Sequence, residues 1–494
     1  MFGKKKFQKR TIGDMPSYKS YSDALHPARK RSFMKIFLIL CCVFLVVFMS
    51  KYIVTFAKWA IDQITKGTVS VISNSLGQSM TGDEYGNINV MIVGYGGTGH
   101  AGSYLADSIM VASFNPKLDA LTMLSIPRDL EVYDTGRWIR GRVNEVFSVW
   151  VGRNREFATG AALLSSMLEN IMWIKINYYA LVDFWGFKWL IDTLGGITID
   201  VPESFVDTTY PTLDNGYMTV SFTSWVNQFD GEKALEYARS RHSTSDFARS
   251  LRQQLIIKAV MDKLIDKGVT NITKVKKLYA DYTTMVQTNI SLKEIMGMVK
   301  YMYNLNNIFS YGYTTECSEL NYKYSTPACF LYTPDRSLFG GASVMIPDGS
   351  TPANVWFYDY TQKFASYVIH HQGYLIEHPK IAILNGIDKK FAKQTLKISD
   401  GFANQLAVKL KKYAFDISNV QNFTQPISWT TLYVVSTWKV DQTIKMLQTF
   451  VPIFHVEKDT SMVDPALLSW YDLVLVLGND YIPYLTTNPF SYYK

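Results

Sequence analysis

The sequence predicts a layered α/β or α+β protein with a smaller α/β module behind it, tethered at its N-terminus by one membrane span. Three observations predict this. Three short apolar and β-branched runs follow one another closely, Ile88 to Val93, Ser108 to Phe114 and Leu121 to Ile126, as neighbouring strands of one sheet do. Helical patterns then take over, and strand–helix alternation returns beyond Lys380. Near the N-terminus an uninterrupted apolar run, Ile36 to Phe48, follows a basic tail.

The tail, residues 1–32, carries nine lysines and arginines against Asp14 and Asp23. The apolar segment at 33–56 reaches the roughly 20 residues that a span needs. Lys35 and Lys51 sit near its ends, where their ammonium groups reach the interface. No small-residue cleavage site follows, so the segment reads as an uncleaved anchor rather than a removed signal peptide. Basic residues stay on the cytoplasmic side, which puts everything after it outside the cell. Residues 57–84 read as a stalk.

The first strand ends in the turn Gly94-Tyr95-Gly96-Gly97-Thr98-Gly99, and Asn115-Pro116 separates the second strand from the third. Ala158 to Met172 is a helix and Asn177 to Val182 a strand. Phe184 to Leu194 is a helix stopped by Gly195-Gly196, and Ile197 to Val201 is a strand ended by Pro202. A helix starts at Gly231 to Tyr237. A longer one runs from Asp246 to Asp266, with an apolar stripe at Leu251, Leu255, Val260 and Leu264. Helices continue to about Leu305, and a tyrosine-rich β stretch closes the region near Ile346. The second module starts at Ile381 to Leu384, turns at Asn385-Gly386, and continues through a helix at Phe402 to Tyr413, a strand at Thr430 to Ser436, a helix at Val440 to Thr449 and a strand at Leu473 to Leu477.

At 494 residues, 48% hydrophobic and 14% aromatic, the chain can build a sizeable core and is not disordered. Its formal charge of +8 is partly concentrated in the tail, so nucleic-acid binding does not follow from it. Of four cysteines, Cys41 and Cys42 lie in the apolar segment. Cys317 and Cys329 lie in the external part, as a disulfide or as two thiols.

The glycine turn does not open a helix, since His100-Ala101-Gly102-Ser103 and then a second strand follow almost at once, so it does not read as a dinucleotide site. A loop needing positive φ explains it better. Asp107 precedes the second strand as a cap or turn residue does. Arg128 and Asp129 end the third strand, where α/β folds gather sites; taken alone they read as an exposed ion pair. The richest stretch is DGEKALEYARSRHSTSDFARSLRQQLIIK. Arg239 and Arg241 share one side if the chain there is extended. With Asp246 as a plausible N-cap, Arg249, Arg252 and Gln253 fall at i, i+3 and i+4 of a helix. A solvated basic helix face accounts for Arg249 and Arg252 but leaves Arg239 and Arg241 unexplained. A pyrophosphate site accounts for all, since the planar fork of arginine suits phosphate oxygens. Asp107 alone would offset little of that charge, so the empty pocket should attract anions. No Ser/His/Asp triad, GxSxG or HExxH is present, and phosphoryl transfer needs none of them.

The ordered series DSIMVASFNP, LTMLSIPRDLEV, RVNEVF, YYALVDFWGFKWLIDTLGGITIDVPESF and FDGEKALEYARSRHSTSDFARSLRQQ resembles the LytR-CpsA-Psr catalytic domain over about residues 85–370, most firmly 88–260. IAILNGID, the helix through Leu410 and LVLVLGNDY resemble the C-terminal domain often attached to that family. The resemblance implies a mixed central sheet flanked by helices at 85–375, a LytR-type C-terminal domain at 380–494, and an apolar tunnel for a polyprenyl tail. It implies magnesium (Mg2+) on Asp107 and a phosphate-site arginine at Arg128. It also implies a pyrophosphate-contacting set of Arg239, Arg241, Arg249 and Gln253 with Arg252 nearby, with Asp107, Arg128 and Arg241 as the catalytic group. The implied partners are a polyprenyl-pyrophosphate-linked glycan, peptidoglycan as acceptor and membrane lipid. One departure stands out: the family's second aspartate, two residues after the first-strand glycine, is Gly96 here. His100 or Asp129 would have to substitute. Three readings follow: transfer of a glycopolymer phosphate to peptidoglycan or a similar envelope acceptor, hydrolysis of the same lipid, and a lipid-binding envelope regulator without catalysis.

Overall fold

The computed structural model describes residues 79–100, 102–134, 139–212, 216–240, 246–266, 286–291, 294, 307–315, 326–398 and 400–487. The expected span at 33–56, Arg241 and Cys317 lie outside these residues; Cys329 is buried. Among the described residues no helix is long and apolar enough to cross a membrane.

The fold is mixed α/β. Seven strands form the central sheet: β1 (Ile88–Tyr95), β2 (Ala106–Asn115), β3 (Ala120–Ile126), β4 (Tyr178–Asp183), β5 (Val286–Thr288), β6 (Asn307–Tyr313) and β7 (Thr326–Ala328). Their spatial order is β5-β4-β1-β2-β3-β6-β7. β1, β2 and β3 are joined antiparallel, β4 lies parallel to β1, and β6 parallel to β3. The C-terminal ends of β1, β3 and β4 and the N-terminal end of β2 therefore meet at one edge of the sheet.

Side chains alternate across a strand, and here both faces are covered. Met91, Val93, Ile109, Val111 and Leu124 join the core beneath helices α1 (Val143–Asn154) and α2 (Phe157–Met172). Ile88, Met110, Phe114, Leu121 and Met123 face the opposite layer, made by α3 (Phe184–Thr193), α4 (Gly231–Arg239) and α5 (Asp246–Asp266). α3 starts where the Asp183 carboxylate accepts from the Gly186 amide at 2.7 Å, and α4 where Asp230 accepts from Lys233 N at 2.8 Å. Each is an Asx-type N-cap that satisfies an orphan donor. The glycine pair after α3 has a steric reason: Gly196 has φ +81°, and a Cβ there would sit 2.8 Å from the Phe229 carbonyl.

Helix α6 (Asp359–His370) packs on the first core layer and leads into the C-terminal unit. There β8 (Lys380–Asn385), β9 (Asp416–Asn422), β10 (Thr431–Val434), β11 (His455–Glu457) and β12 (Leu473–Leu477) form a sheet in the order β9-β8-β12-β10-β11. All its neighbours are parallel except β10 and β12. The two units share one apolar cluster, in which Tyr413 packs 5.2 Å from the Phe330 ring and 6.2 Å from that of Phe364.

Helices α1 and α6 and several hairpins escape the sequence pattern. One correction affects the site directly. Arg239 is the last residue of α4 and not part of an extended segment, so an i, i+2 alternation with Arg241 does not describe it.

Candidate functional site

Between the sheet and the layer of α3, α4 and α5 lies a cavity of about 410 Å³. Its body is apolar. Ile88, Val90 and Ile92 of β1, Met110, Ala112 and Phe114 of β2, and Leu121 and Met123 of β3 form its floor. Phe187, Leu190, Ile256, Ile257 and Val260 cover it from the helices. Asp107, Ser108, Arg128, Asp183, Arg239, Arg249 and Gln253 also stand on its wall. Four of these come from the sheet edge where the strand ends meet, which is how an open α/β sheet gathers groups from distant parts of the sequence.

Asp107 owes its aim to an irregularity in pairing. Gly94 pairs with Ser108 and Tyr95 with Ala106, so Asp107 is the extra residue of a bulge. A bulge re-aims the side chain it carries. Its carboxylate is hydrogen-bonded to Nη1 of Arg128. The Arg128 Nε lies 3.5 Å from Asp129, and Asp129 in turn lies 3.4 Å from Arg142. Asp129 faces these two guanidinium groups and is not on the cavity wall.

Arg239 reaches the cavity from the end of α4. Its guanidinium lies over the rings of Phe184, at 4.5 Å, and Tyr210, at 5.2 Å. It donates to the Tyr210 hydroxyl at 3.1 Å, and Nη2 sits 3.3 Å from Nε2 of His100. Arg249 and Gln253 are one turn apart on α5 and both line the cavity. Ser108 donates to Gln253 Oε1 at 2.8 Å.

Arg252 does not join them. A helix advances about 100° per residue, so Arg252 and Gln253 point in well-separated directions. The Arg252 Nε donates to the Tyr237 carbonyl at 2.9 Å, and Nη2 donates to the Ser240 carbonyl. Its side chain is buried against Phe205, and burial pulls its pKa down to about 10. This arginine ties α5 to the end of α4. It is neither a solvated face residue nor a cavity ligand.

Two carboxylates in the cavity escape sequence reasoning. Asp207 comes from the hairpin strand Phe205–Pro211, and nothing in its surroundings in the sequence signals it. Asp183 was within reach: it is the single residue between the expected strand and the expected helix, the place of an N-cap. Burial pushes its carboxyl up, against the lowering effect of the Gly186 and Trp185 amides. The turn closes over it at Gly97, where φ is +81° and a Cβ would lie 3.0 Å from the Asp183 Cβ. Three arginines and three carboxylates thus share the wall, a more even balance than the motif alone suggests.

Asp107, on which the resemblance places magnesium, is hydrogen-bonded to Arg128 here. Among the described residues no group of three His, Cys, Asp or Glu side chains converges to hold a metal. Position 96 has no carboxylate, and a Cβ added there would lie 3.1 Å from the His100 imidazole.

A family model, the LytR_cpsA_psr family, matches residues 53–326, more than half of the chain. The polyisoprenyl-teichoic acid–peptidoglycan teichoic acid transferase TagV of Bacillus subtilis (strain 168) is 30% identical over 241 residues, covering 48% of this chain and 57% of the relative. Biofilm regulatory protein A of Streptococcus mutans serotype c is 27% identical over 215 residues, covering 42% of this chain and 50% of the relative. The matches thus span about half of these relatives' length. The crystal structure of TagV from Bacillus subtilis matches with a TM-score of 0.42 at 24% identity, covering 59% of this chain and 98% of that one.

Proposed function

Because the chain belongs to the LytR_cpsA_psr family, we propose that it transfers a glycopolymer phosphate from a polyprenyl-pyrophosphate carrier to cell-wall peptidoglycan or a similar envelope acceptor. One observation carries this reading: an apolar cavity between sheet and helices whose wall also bears Arg128, Arg239, Arg249 and Gln253. That pairing suits a ligand with a long hydrocarbon tail and an anionic head. Burying the tail removes apolar surface from water at about 25 cal/mol per Å². The head gains charge-assisted hydrogen bonds from planar guanidinium donors.

In this reading the arginines and Gln253 bind the pyrophosphate oxygens and hold the anhydride in line for attack. An acceptor hydroxyl attacks the phosphorus that bears the glycan. The anhydride P–O bond breaks, the acceptor proton is lost, and polyprenyl phosphate leaves. Charge growing on the leaving phosphate is stabilised by guanidinium groups already in place. No step passes through a metal. The apolar run at 33–56, with its basic tail, supports a single-pass anchor that keeps the cavity outside the cell and near the lipid carrier.

The test is incubation of the full chain with a synthetic polyprenyl-pyrophosphoryl glycan and a peptidoglycan oligomer, followed by mass spectrometry. The expected product is the oligomer carrying glycan phosphate, together with polyprenyl phosphate. Free glycan phosphate with an unmodified oligomer would mean that water is the acceptor. Intact lipid would mean a binding protein without turnover, the reading that the missing carboxylate at Gly96 favours.

A further inference from the structure

Three groups at or beside the cavity mouth that could serve as the protein's ligand to a divalent cation, Asp107, Asp129 and His100, already face an arginine. The Asp107 carboxylate is bound by Arg128. Asp129, a possible substitute for the acid missing at position 96, lies between Arg128 at 3.5 Å and Arg142 at 3.4 Å. His100 is the other possible substitute. Its Nε2 lies 3.3 Å from the Arg239 guanidinium. A guanidinium only donates, so the imidazole nitrogen facing it is the acceptor, and the lone pair that would bind a metal is occupied. Asp183 takes the Gly186 amide at 2.7 Å as the cap of α3. Position 96 itself presents no side chain.

Resting on the donor reading above, we propose that this chain binds the pyrophosphate head of a polyprenyl pyrophosphate without a divalent cation, its guanidinium groups taking the place of a protein-held metal. Arg128 is the pivot. Its Nη1 is bound to Asp107 and its Nε lies 3.5 Å from Asp129, and the side chain lines the cavity, where phosphate oxygens compete for its donors. Arg239 is held by Tyr210, Phe184 and His100 in a fixed orientation, which lowers the entropy lost when an oxygen docks on it. A site with donors set in advance neutralises the head directly, where a metal site would do so through an ion recruited from solution.

Isothermal titration of the full chain in detergent with geranylgeranyl pyrophosphate tests this, once in excess EDTA and once in millimolar magnesium. The expected dissociation constants agree to within about twofold. Weakening by about tenfold or more in EDTA would overturn the proposal. Absence of binding in both buffers would remove the donor reading, and the inference with it. Electron paramagnetic resonance of manganese supplies the second arm. The ligand-free chain should leave the ion free, and Gly96→Asp should bind it. Manganese held by the unsubstituted chain would count against the proposal as strongly as the EDTA result.

Discussion

Arg128 and Arg252 sit in similar sequence surroundings, each beside an acid or a polar neighbour, yet the fold uses them differently. Arg128 is partly exposed on the cavity wall, at 22% side-chain exposure, and paired with Asp107. Arg252 is buried and donates to two carbonyls. Removing each side chain therefore costs different things. Arg128→Ala should weaken geranylgeranyl pyrophosphate binding by about 1.5–3 kcal/mol, the worth of a charged hydrogen bond, with little change in melting temperature. Arg252→Ala should leave the Tyr237 and Ser240 carbonyls without their donor, at about 1–3 kcal/mol each, and lower the melting temperature instead. Calorimetric melting and titration of both variants check the split; equal effects on binding and stability in the two would contradict it. The sequence makes the arginine cluster visible because residue type and helical spacing are local properties. It does not show which member turns inward, because that depends on where the end of α4 packs. Asp107 is similar. Its identity is legible, but the bulge that aims it exists only in the pairing of β1 with β2.

At the scale of elements, the strands were the most legible part. β1, β2 and β3 fall within a few residues of the runs that predict them, because β-branched apolar residues between turn signals carry their own boundaries. α1 was not legible: its sequence, VNEVFSVWVGRN, mixes apolar and polar residues without a clean stripe. The cavity is likewise a property of packing between elements. Its floor is the even-numbered face of β1 and β2, and Ala112 is the small residue midway along the β2 part of that floor. Ala112→Phe should place a ring in vacant volume. A ring normally strains a filled core by about 1–3 kcal/mol, but here it has space to enter. Geranylgeranyl pyrophosphate affinity should then fall by about tenfold or more, while inorganic pyrophosphate binds as before and the melting temperature holds. Titration with both ligands checks this, and an equal loss for both would show that the tail does not occupy the cavity.

Across the whole molecule, the two sheets are separate in hydrogen bonding and joined in packing. The sequence shows the division, since strand–helix alternation restarts at Lys380. It does not show the junction, because the residues that make it lie far apart along the chain. Every described residue on the cavity wall falls between Ile88 and Ile290, so none of the described residues of the C-terminal unit lines it. The junction is nevertheless substantial. Tyr413, 1% exposed, touches the rings of Phe330, Phe364, Tyr367 and Phe450. Its backbone carbonyl accepts the Tyr374 hydroxyl at 2.8 Å. The Glu377 carboxylate accepts from the Gln442 amide at 3.0 Å and the Thr443 amide at 2.7 Å, which caps the helix at Asp441–Leu447 from across the boundary. Units that share a core in this way should unfold together, because opening either one exposes the aromatic surface of the other to water. The full chain should therefore melt in one cooperative transition of its folded part. Tyr413→Ala removes a large buried aromatic at the centre of the junction, and by analogy with buried phenylalanine it should cost about 3–5 kcal/mol. That loss should appear as a lower midpoint for the whole transition, read by calorimetry. If the variant instead splits into two transitions, with the one that reports lipid binding unshifted, the C-terminal unit folds on its own and the shared core does not couple it to the site.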